Sequence, residues 1–141
     1  MQNSSKVVLI TGGASGIGLA AAKVFAESGL RVAIIDINDA AGHALASELK
    51  HLSDAFYHHC DVTSVESIYE TVDAIYERFG RIDVLLNCAA ITIRKRIPEI
   101  DEGQWDRFMD LDLKGPFFMA QACVRYMRKG GGGRIINFSS I

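Results

Sequence analysis

Residues Thr11 to Gly18 form a glycine-rich run, TGGASGIG, whose spacing suits the binding of an anion. The apolar run before it, Val7 to Ile10, is typical of a buried strand, and residues Leu19 to Gly29 have a helical pattern. A strand that turns through glycines into a helix directs backbone N–H groups and the positive end of the helix dipole at one point. The run therefore predicts a site for a nucleotide diphosphate, with a plain tight turn as the alternative; the candidate residues are Gly12, Ser15, Gly16, Ile17 and Gly18.

An acidic residue, Asp36, follows the next apolar run, eighteen residues after Gly18. A carboxylate at this position can accept hydrogen bonds from both hydroxyls of an adenosine ribose, and it would repel a 2′-phosphate. Neither Ser15 nor Ile37 offers a cation to such a phosphate. We therefore expect NAD to be preferred over NADP, with Asp36 and Ile37 at the ribose; a solvated carboxylate at the strand end is the alternative.

Two more groups of residues follow predicted strands. Asp61 could accept a hydrogen bond from an exocyclic amine, and Val62 could pack on a ring face. Asn87, Ala89 and Ala90 end the next strand, where small residues let a ribose lie against the backbone. Asp61 could instead cap the helix that follows it.

The elements that must position these residues alternate between strands and helices. A capping box, Thr63 with Glu66, predicts the start of the third and clearest helix, and Gly80 predicts its end. Trp105 and Phe108 open the apolar face of a fourth helix, which reaches Met127. Such a series predicts a parallel, doubly wound α/β sheet of Rossmann type with its ligand at the carboxyl ends of the strands; the predicted strands are Lys6–Ile10, Arg31–Ile35, Ala55–Cys60, Asp83–Asn87 and Arg134–Phe138.

Length and composition restrict the classes of function. A chain of 141 residues with 49% apolar residues predicts one domain, residues 1–141, and a net charge of −2 does not favour nucleic acid or an anionic membrane as partner. Three widely spaced cysteines favour free thiols in a reducing cytoplasm. We expect no metal site, because adjacent residues of His58-His59-Cys60 would point to opposite faces of a strand.

The motifs together resemble the short-chain dehydrogenase/reductase family over the whole chain. They are Thr11–Gly18, Asp61-Val62, Asn87 to Ala90, and Asn137 to Ser140. The resemblance implies hydride transfer between a nicotinamide cofactor and a small alcohol or carbonyl compound. It also implies that Ser140 is the catalytic serine, which hydrogen-bonds the substrate oxygen and orients it.

Three positions depart from the pattern of that family. Cys88 and Ala90 replace an Asn and a Gly, and both are small enough to keep contact with a cofactor. Asp112 stands where the family has Asn, a residue whose carbonyl the family uses to hold a water in a proton relay. Because Pro116 has no N–H, the Asp112 carbonyl lacks its usual helical partner and could still serve. Helical spacing from Trp105 and Phe108 predicts an inward-facing Asp112 carboxylate, which would need a partner.

The tyrosine and lysine of the family's Tyr-x-x-x-Lys pair do not occur at that spacing in this sequence. The resemblance implies that they lie beyond Ile141, so that the chain is a fragment of a homo-oligomeric parent and is nearly inert alone. A nucleotide-binding module without catalysis is the alternative. We also expect the last strand to be an exposed apolar edge. The basic residues Arg94, Lys95 and Arg96 could face a sugar acid as substrate, although a solvated basic loop is the simpler interpretation of them. A 3-oxoacyl compound is a second substrate that would suit the family.

Overall fold

A computed structural model describes residues 6–139 and contains one parallel sheet of five strands. The strands are β1 (Val7–Thr11), β2 (Arg31–Asp36), β3 (Ala55–His59), β4 (Val84–Asn87) and β5 (Arg134–Asn137). Their order in the sheet is β3-β2-β1-β4-β5, with β1 at the centre. The predicted α/β Rossmann-like fold is confirmed, and the chain reverses direction across the sheet between β1 and β4, where this fold class binds ligands.

Five helices cover the two faces of the sheet. They are α1 (Gly16–Glu27), α2 (Asp39–Leu49), α3 (Val65–Phe79), α4 (Glu102–Met109) and α5 (Gly115–Lys129). Side chains of β1 alternate between the faces: Val7 and Leu9 pack with α3 and α5, whereas Val8 and Ile10 pack with α1 and α2. Because β1 is buried along its whole length, it forms a rigid support for the turn that follows it.

The start of α3 differs from the predicted capping box. Ser64, rather than Thr63, is the N-cap, and its hydroxyl accepts a hydrogen bond from the Ser67 N–H at 3.2 Å. Thr63 does not cap the helix, because its N–H and its hydroxyl both donate to Oδ1 of Asp61, at 2.9 and 2.7 Å. The predicted end at Gly80 is confirmed by its left-handed φ of 74°.

The predicted fourth helix is divided into α4 and α5 by one π-helical turn, Asp110–Lys114. Gly115 begins α5 against the Val62 carbonyl, where an added Cβ would lie 2.7 Å from the carbonyl oxygen. The expectation of an inward Trp105 is wrong: the ring is 56% exposed, because the π turn changes the rotation of α4 relative to α5. A short 3₁₀ turn, Ile97–Glu99, precedes α4.

The two edge strands differ in cover. On β3, Ala55 and Tyr57 are buried under α2, whereas on β5 Ile135 and Ile136 are exposed, as expected for an apolar edge. Among residues 6–139, no helix is long and apolar enough to cross a bilayer.

Candidate functional site

A cavity of about 820 Å³ lies at the carboxyl edge of the sheet, between the glycine turn, the ends of β2 to β4, and α4. A volume of this size is typical of a small-molecule site. All the predicted cofactor-binding residues except Gly18 and Asn87 line it: Gly12, Ser15, Gly16, Ile17, Asp36, Ile37, Asp61, Val62, Ala89 and Ala90. The structure thus brings together residues that lie far apart in the sequence.

The glycine turn is shaped by close backbone contacts. Gly12 has a φ of 62°, and an added Cβ there would lie 2.8 Å from the Ala89 backbone, so only glycine lets β1 and the end of β4 meet. Gly16 also has a positive φ, 51°, but lies in open space at the cavity. Gly18 lies outside the lining and packs against the Gly12 carbonyl, where a side chain would collide. Its contribution is therefore to bring α1 against the turn.

The N-terminus of α1 lies at this cavity without a side-chain cap. In the described residues, Asn38, Ser64 and Asp101 each cap their helix through a side-chain oxygen, whereas Ser15 makes no such bond. The first turn of α1, Gly16 to Gly18, also contains no acidic residue. The N–H groups at this helix end, which have no partner within the helix, thus remain available to an anion.

The Asp36 carboxylate joins the glycine turn to the end of β2. Its Oδ2 accepts a hydrogen bond from the Ala14 N–H at 3.0 Å, and its Oδ1 accepts one from the Asn38 N–H at 3.0 Å. These bonds fix the carboxylate at the cavity wall, next to Ile37. Each oxygen keeps a second lone pair, which could accept from a ribose hydroxyl.

Asp61 and Val62 form the far wall of the cavity. The two hydrogen bonds from Thr63 hold the pKa of the Asp61 carboxyl below its usual value, and His59 and Arg107 add to this more weakly by their charge. The alternative that Asp61 caps α3 is not realised, since Ser64 is the cap. Asp61 is therefore a fixed, ionised acceptor at the cavity, and Val62 is a buried apolar contact beside it.

Thr11 holds the ends of β1 and β4 together, a role that our sequence interpretation did not assign. Its buried hydroxyl oxygen accepts hydrogen bonds from the N–H groups of Cys88 and Ala89, at 3.1 and 3.2 Å. Its register partner on β4 is Asn87. The signal in the sequence was a threonine that ends an apolar strand next to the glycine run.

One face of α4 and the following π turn closes the cavity, and the sequence interpretation missed it. The lining residues there follow helical spacing: Gly103, Asp106, Arg107, Asp110 and Leu111. This face is mostly polar or small, so it resembled a solvated surface. The helical spacing of these residues could nevertheless have shown that they share one face of the helix.

A second cavity of about 410 Å³ adjoins the first and shares Ala89 and Ala90 with it. Asn87, Asp112, Asn137 and Ser139 are its polar lining. The Asp112 carboxylate is half-buried, and its Oδ1 accepts a hydrogen bond from the Ile91 N–H at 2.9 Å, which supplies the partner that burial requires. Ser140, the predicted catalytic serine, lies outside the described residues.

The Asn87 side chain joins β4 to β5 rather than lining the larger cavity. Its Nδ2 donates to Oδ1 of Asn137, its register partner, at 2.8 Å. Nearby, burial raises the pKa of the Cys88 thiol to about 11, so this cysteine is a neutral wall of the cavity. The described residues contain no group of histidine, cysteine or carboxylate side chains arranged to hold a metal ion.

The parallel sheet, the glycine turn and the cavity at the strand ends define a Rossmann-like α/β domain. The family model for "short chain dehydrogenase" matches residues 6–141. The chain therefore belongs to the short-chain dehydrogenase family, as its motifs predicted.

Individual relatives agree with this assignment. D-threitol dehydrogenase of Mycolicibacterium smegmatis is 39% identical over 138 residues, which cover 96% of this chain and 52% of the relative. Sorbitol dehydrogenase of Cereibacter sphaeroides is 42% identical over 141 residues, which cover 99% of this chain and 54% of the relative. The crystal structure of an NAD⁺-bound xylitol dehydrogenase superposes with a TM-score of 0.93 at 32% identity, covering 99% of this chain and 55% of that one. The chain spans about half the length of the curated relatives it matches.

Proposed function

We propose that this chain is the cofactor-binding part of an NAD(P)-dependent oxidoreductase that acts on a small alcohol or its carbonyl counterpart. The observation that carries the proposal is the uncapped N-terminus of α1 at a cavity that is also lined by the carboxylates of Asp36 and Asp61. A diphosphate would lie at the helix end, while the carboxylates would accept from the ribose and the adenine of one molecule.

The residues present fit a dinucleotide. The first residues of α1, Gly16 and Ile17, offer backbone N–H groups that have no partner within the helix, and no Cβ stands in the way at Gly16. Ala89 and Ala90 leave room for the second ribose where the two cavities meet. The nicotinamide cofactor, when bound, would supply the hydride acceptor or donor, and the chain would hold it and exclude water around it.

We propose NAD rather than NADP as the preferred cofactor. The Asp36 carboxylate is fixed at the cavity, and a 2′-phosphate on the same ribose would place two negative charges side by side. Arg107 also lines the cavity, but on the α4 side, where Asp106 and Asp110 accompany it. The NAD⁺-bound state of the xylitol dehydrogenase structure supports this choice by similarity.

For the substrate we propose a small polyhydroxylated alcohol. The relatives named above are dehydrogenases of threitol, sorbitol and xylitol, and a glycerol dehydrogenase of Listeria innocua named as NAD-dependent is 36% identical over 137 residues, covering 97% of this chain and 53% of that protein. The substrate oxygen would lie in the smaller cavity, where Asp112 and Ser139 stand and which Ser140 follows in sequence. We propose that Ser140 would hydrogen-bond that oxygen. We also propose that Asp112, through its hydrogen bond from the Ile91 N–H, would hold the π turn in position beside the substrate. The whole protein would act as a homo-oligomer in the cytoplasm.

For residues 1–141 taken alone, we propose cofactor binding without turnover, because no tyrosine here is followed by a lysine four residues later. General acid–base groups typically contribute about 10²- to 10⁴-fold to a rate. Calorimetric titration of the chain with NADH and NADPH tests the binding proposal: we expect NADH to bind more tightly. Tighter binding of NADPH would overturn the cofactor preference, and binding of neither would overturn the proposed function.

A further inference from the structure

Tyr57 lies beneath α2, with its ring buried and outside the cavity lining given by the described residues. The ring fills the space left by Gly42 of α2, since a Cβ on Gly42 would overlap it. The His43 ring packs edge-on against it, with the ring centroids 4.8 Å apart. These contacts hold the ring in one place, so the position of its hydroxyl is set by the fold.

The Tyr57 hydroxyl reaches both ends of the turn between β2 and α2. It lies 2.9 Å from the Asp36 carbonyl oxygen and 2.7 Å from Oδ1 of Asp39, and it can donate to either. Burial, together with the Asp39 carboxylate, raises the pKa of this hydroxyl well above its usual value, so it remains a donor throughout the working pH range. The hydroxyl therefore lies between the two ends of a segment of four residues, residues 36–39, and its single proton bonds one end at a time.

That segment presents the ribose-facing residues to the cavity. Asp36 and Ile37 line the cavity, and Asn38 both donates to the Asp36 carboxylate and caps α2. Asp39 is held from a second side by His59, whose Nδ1 lies 2.8 Å from Oδ1 and must carry the proton of this bond. At the other end, the Asp36 carbonyl also accepts a hydrogen bond from the Cys60 N–H. Tyr57 therefore helps to set the distance between this segment and the glycine turn.

We propose that Tyr57 is a positioning residue for cofactor selectivity: by anchoring the turn from behind, it holds the Asp36 carboxylate where it accepts from an unmodified ribose and opposes a 2′-phosphate. This inference rests on the proposed function and adds a residue that contacts no part of the cofactor. Loss of the hydroxyl leaves the buried ring and the sheet intact but lets the turn move outward. An outward carboxylate loses affinity for a free 2′-hydroxyl and, at the same time, repels a 2′-phosphate less.

The test is calorimetric titration with ADP-ribose and with 2′-phospho-ADP-ribose, which contain the adenosine half of each cofactor. We expect Tyr57→Phe to reduce the preference for ADP-ribose by roughly 2- to 10-fold, the range expected for loss of one hydrogen bond. The matched control is Tyr126→Phe, which removes a similar tyrosine–carboxylate bond, 2.8 Å to Asp73, on the opposite face of the sheet. We expect this control to leave the preference unchanged.

The preference ratio separates positioning from a merely structural role, because general loosening would weaken both ligands equally. An unchanged ratio in Tyr57→Phe would overturn the inference while leaving the proposed function standing. Failure of the unmodified chain to bind either ligand would overturn the proposed function and, with it, the inference. If Tyr57→Phe does not fold, Asp39→Ala removes the other end of the anchor at an exposed position, and the same ratio must fall for the inference to stand.

Discussion

The N-termini of α1 and α3 both lie at the carboxyl edge of the sheet, yet they are built in opposite ways. At α3, the Ser64 hydroxyl caps the helix and Glu66 stands at the second helical position, where its charge favours the helix dipole. At α1, the corresponding residues are Ser15, which makes no capping bond in the described structure, and Ile17, which is apolar and 61% exposed at the cavity. The chain thus completes the N-terminus of α3 with its own side chains, whereas it leaves the N-terminus of α1 without a side-chain cap.

The contrast has an energetic consequence. A cap and a favourable first-turn charge each stabilise a helix, by about 1 and about 0.3–1 kcal/mol respectively. The N-terminus of α1 has neither a side-chain cap nor a first-turn acid, and the apolar side chain of Ile17 is exposed there. A diphosphate would supply the missing hydrogen-bond acceptors and the missing negative charge, so we expect stability and binding to oppose each other at α1 but not at α3.

The largest expected effect comes from giving α1 the charge that α3 has. Ile17→Glu copies Glu66 at the equivalent position, and we expect it to weaken NADH binding roughly 100-fold. The reason is repulsion: two like charges about 5 Å apart interact by about 3 kcal/mol at an effective dielectric constant of about 20. Fluorescence titration with NADH measures the loss, and urea unfolding without ligand measures the stability, which we expect to stay level or rise.

The reciprocal change at α3 is the control. Glu66→Ile removes a first-turn charge from the capped helix, so we expect a loss of about 0.3–1 kcal/mol in the free energy of unfolding and unchanged NADH affinity. If Ile17→Glu bound NADH as tightly as the unmodified chain, α1 would not be the diphosphate site.

The next effect concerns the carboxylate beside α1. We expect Asp36→Asn to reduce the preference for NADH over NADPH about tenfold, because it removes the charge that opposes a 2′-phosphate while keeping one acceptor oxygen. Asp54→Asn is a suitable control, since Asp54 pairs with Arg78 at 2.6 Å outside the cavity lining. Parallel titrations with both cofactors check this, and equal preferences in Asp36→Asn and the unmodified chain would contradict the role of Asp36.

A smaller effect compares the two serines directly. Ser64→Ala should lower the free energy of unfolding by about 1 kcal/mol, because the Ser67 N–H loses its acceptor. Ser15→Ala removes no capping bond, so we expect it to leave the stability of the ligand-free chain within experimental error. Urea unfolding of both variants checks this pair. Equal losses would mean that the two helix ends are alike in the free protein.

Much of this contrast could be predicted from the sequence. The glycine run after a short apolar strand predicts an open helix end, because glycines allow close backbone approach and the first helical turn contains no acid. The alternation of apolar strands with helical patterns predicts the parallel sheet and therefore the common edge at which Asp36, Asp61 and Ala89 meet. These inferences succeed because they depend on local pattern and on a topology with few alternatives.

The remainder depends on contacts that no local pattern contains. Ser64 rather than Thr63 caps α3 because Asp61 binds Thr63, a competition decided by the geometry after β3. Arg107 lines the cavity from α4, which a π turn separates from α5, and the anchor from Tyr57 to Asp39 joins residues eighteen positions apart. The same holds for Thr11, whose hydroxyl is satisfied by N–H groups on β4.

The smallest effect tests the first turn of α2, a third helix N-terminus at this edge. Hydrogen bonds from Tyr57 and then His59 lower the pKa of the Asp39 carboxyl below its ordinary value of 3.8. A carboxyl whose pKa is lowered by folding contributes stability above its unfolded pKa, and this contribution is lost as the pH falls through the folded pKa. We therefore expect the contribution to be complete at pH 5, to decline as the pH falls below 3.8 and to vanish only below the lowered folded pKa, whereas α1, with no acid in its first turn, contributes nothing of this kind. Urea unfolding at a series of pH values checks this: Asp39→Asn should be less stable than the unmodified chain at pH 5, and the difference should shrink in acid. A difference that stays constant with pH would mean that the Asp39 charge has no part in holding the turn, and that α2 begins as α1 does, without help from a carboxylate.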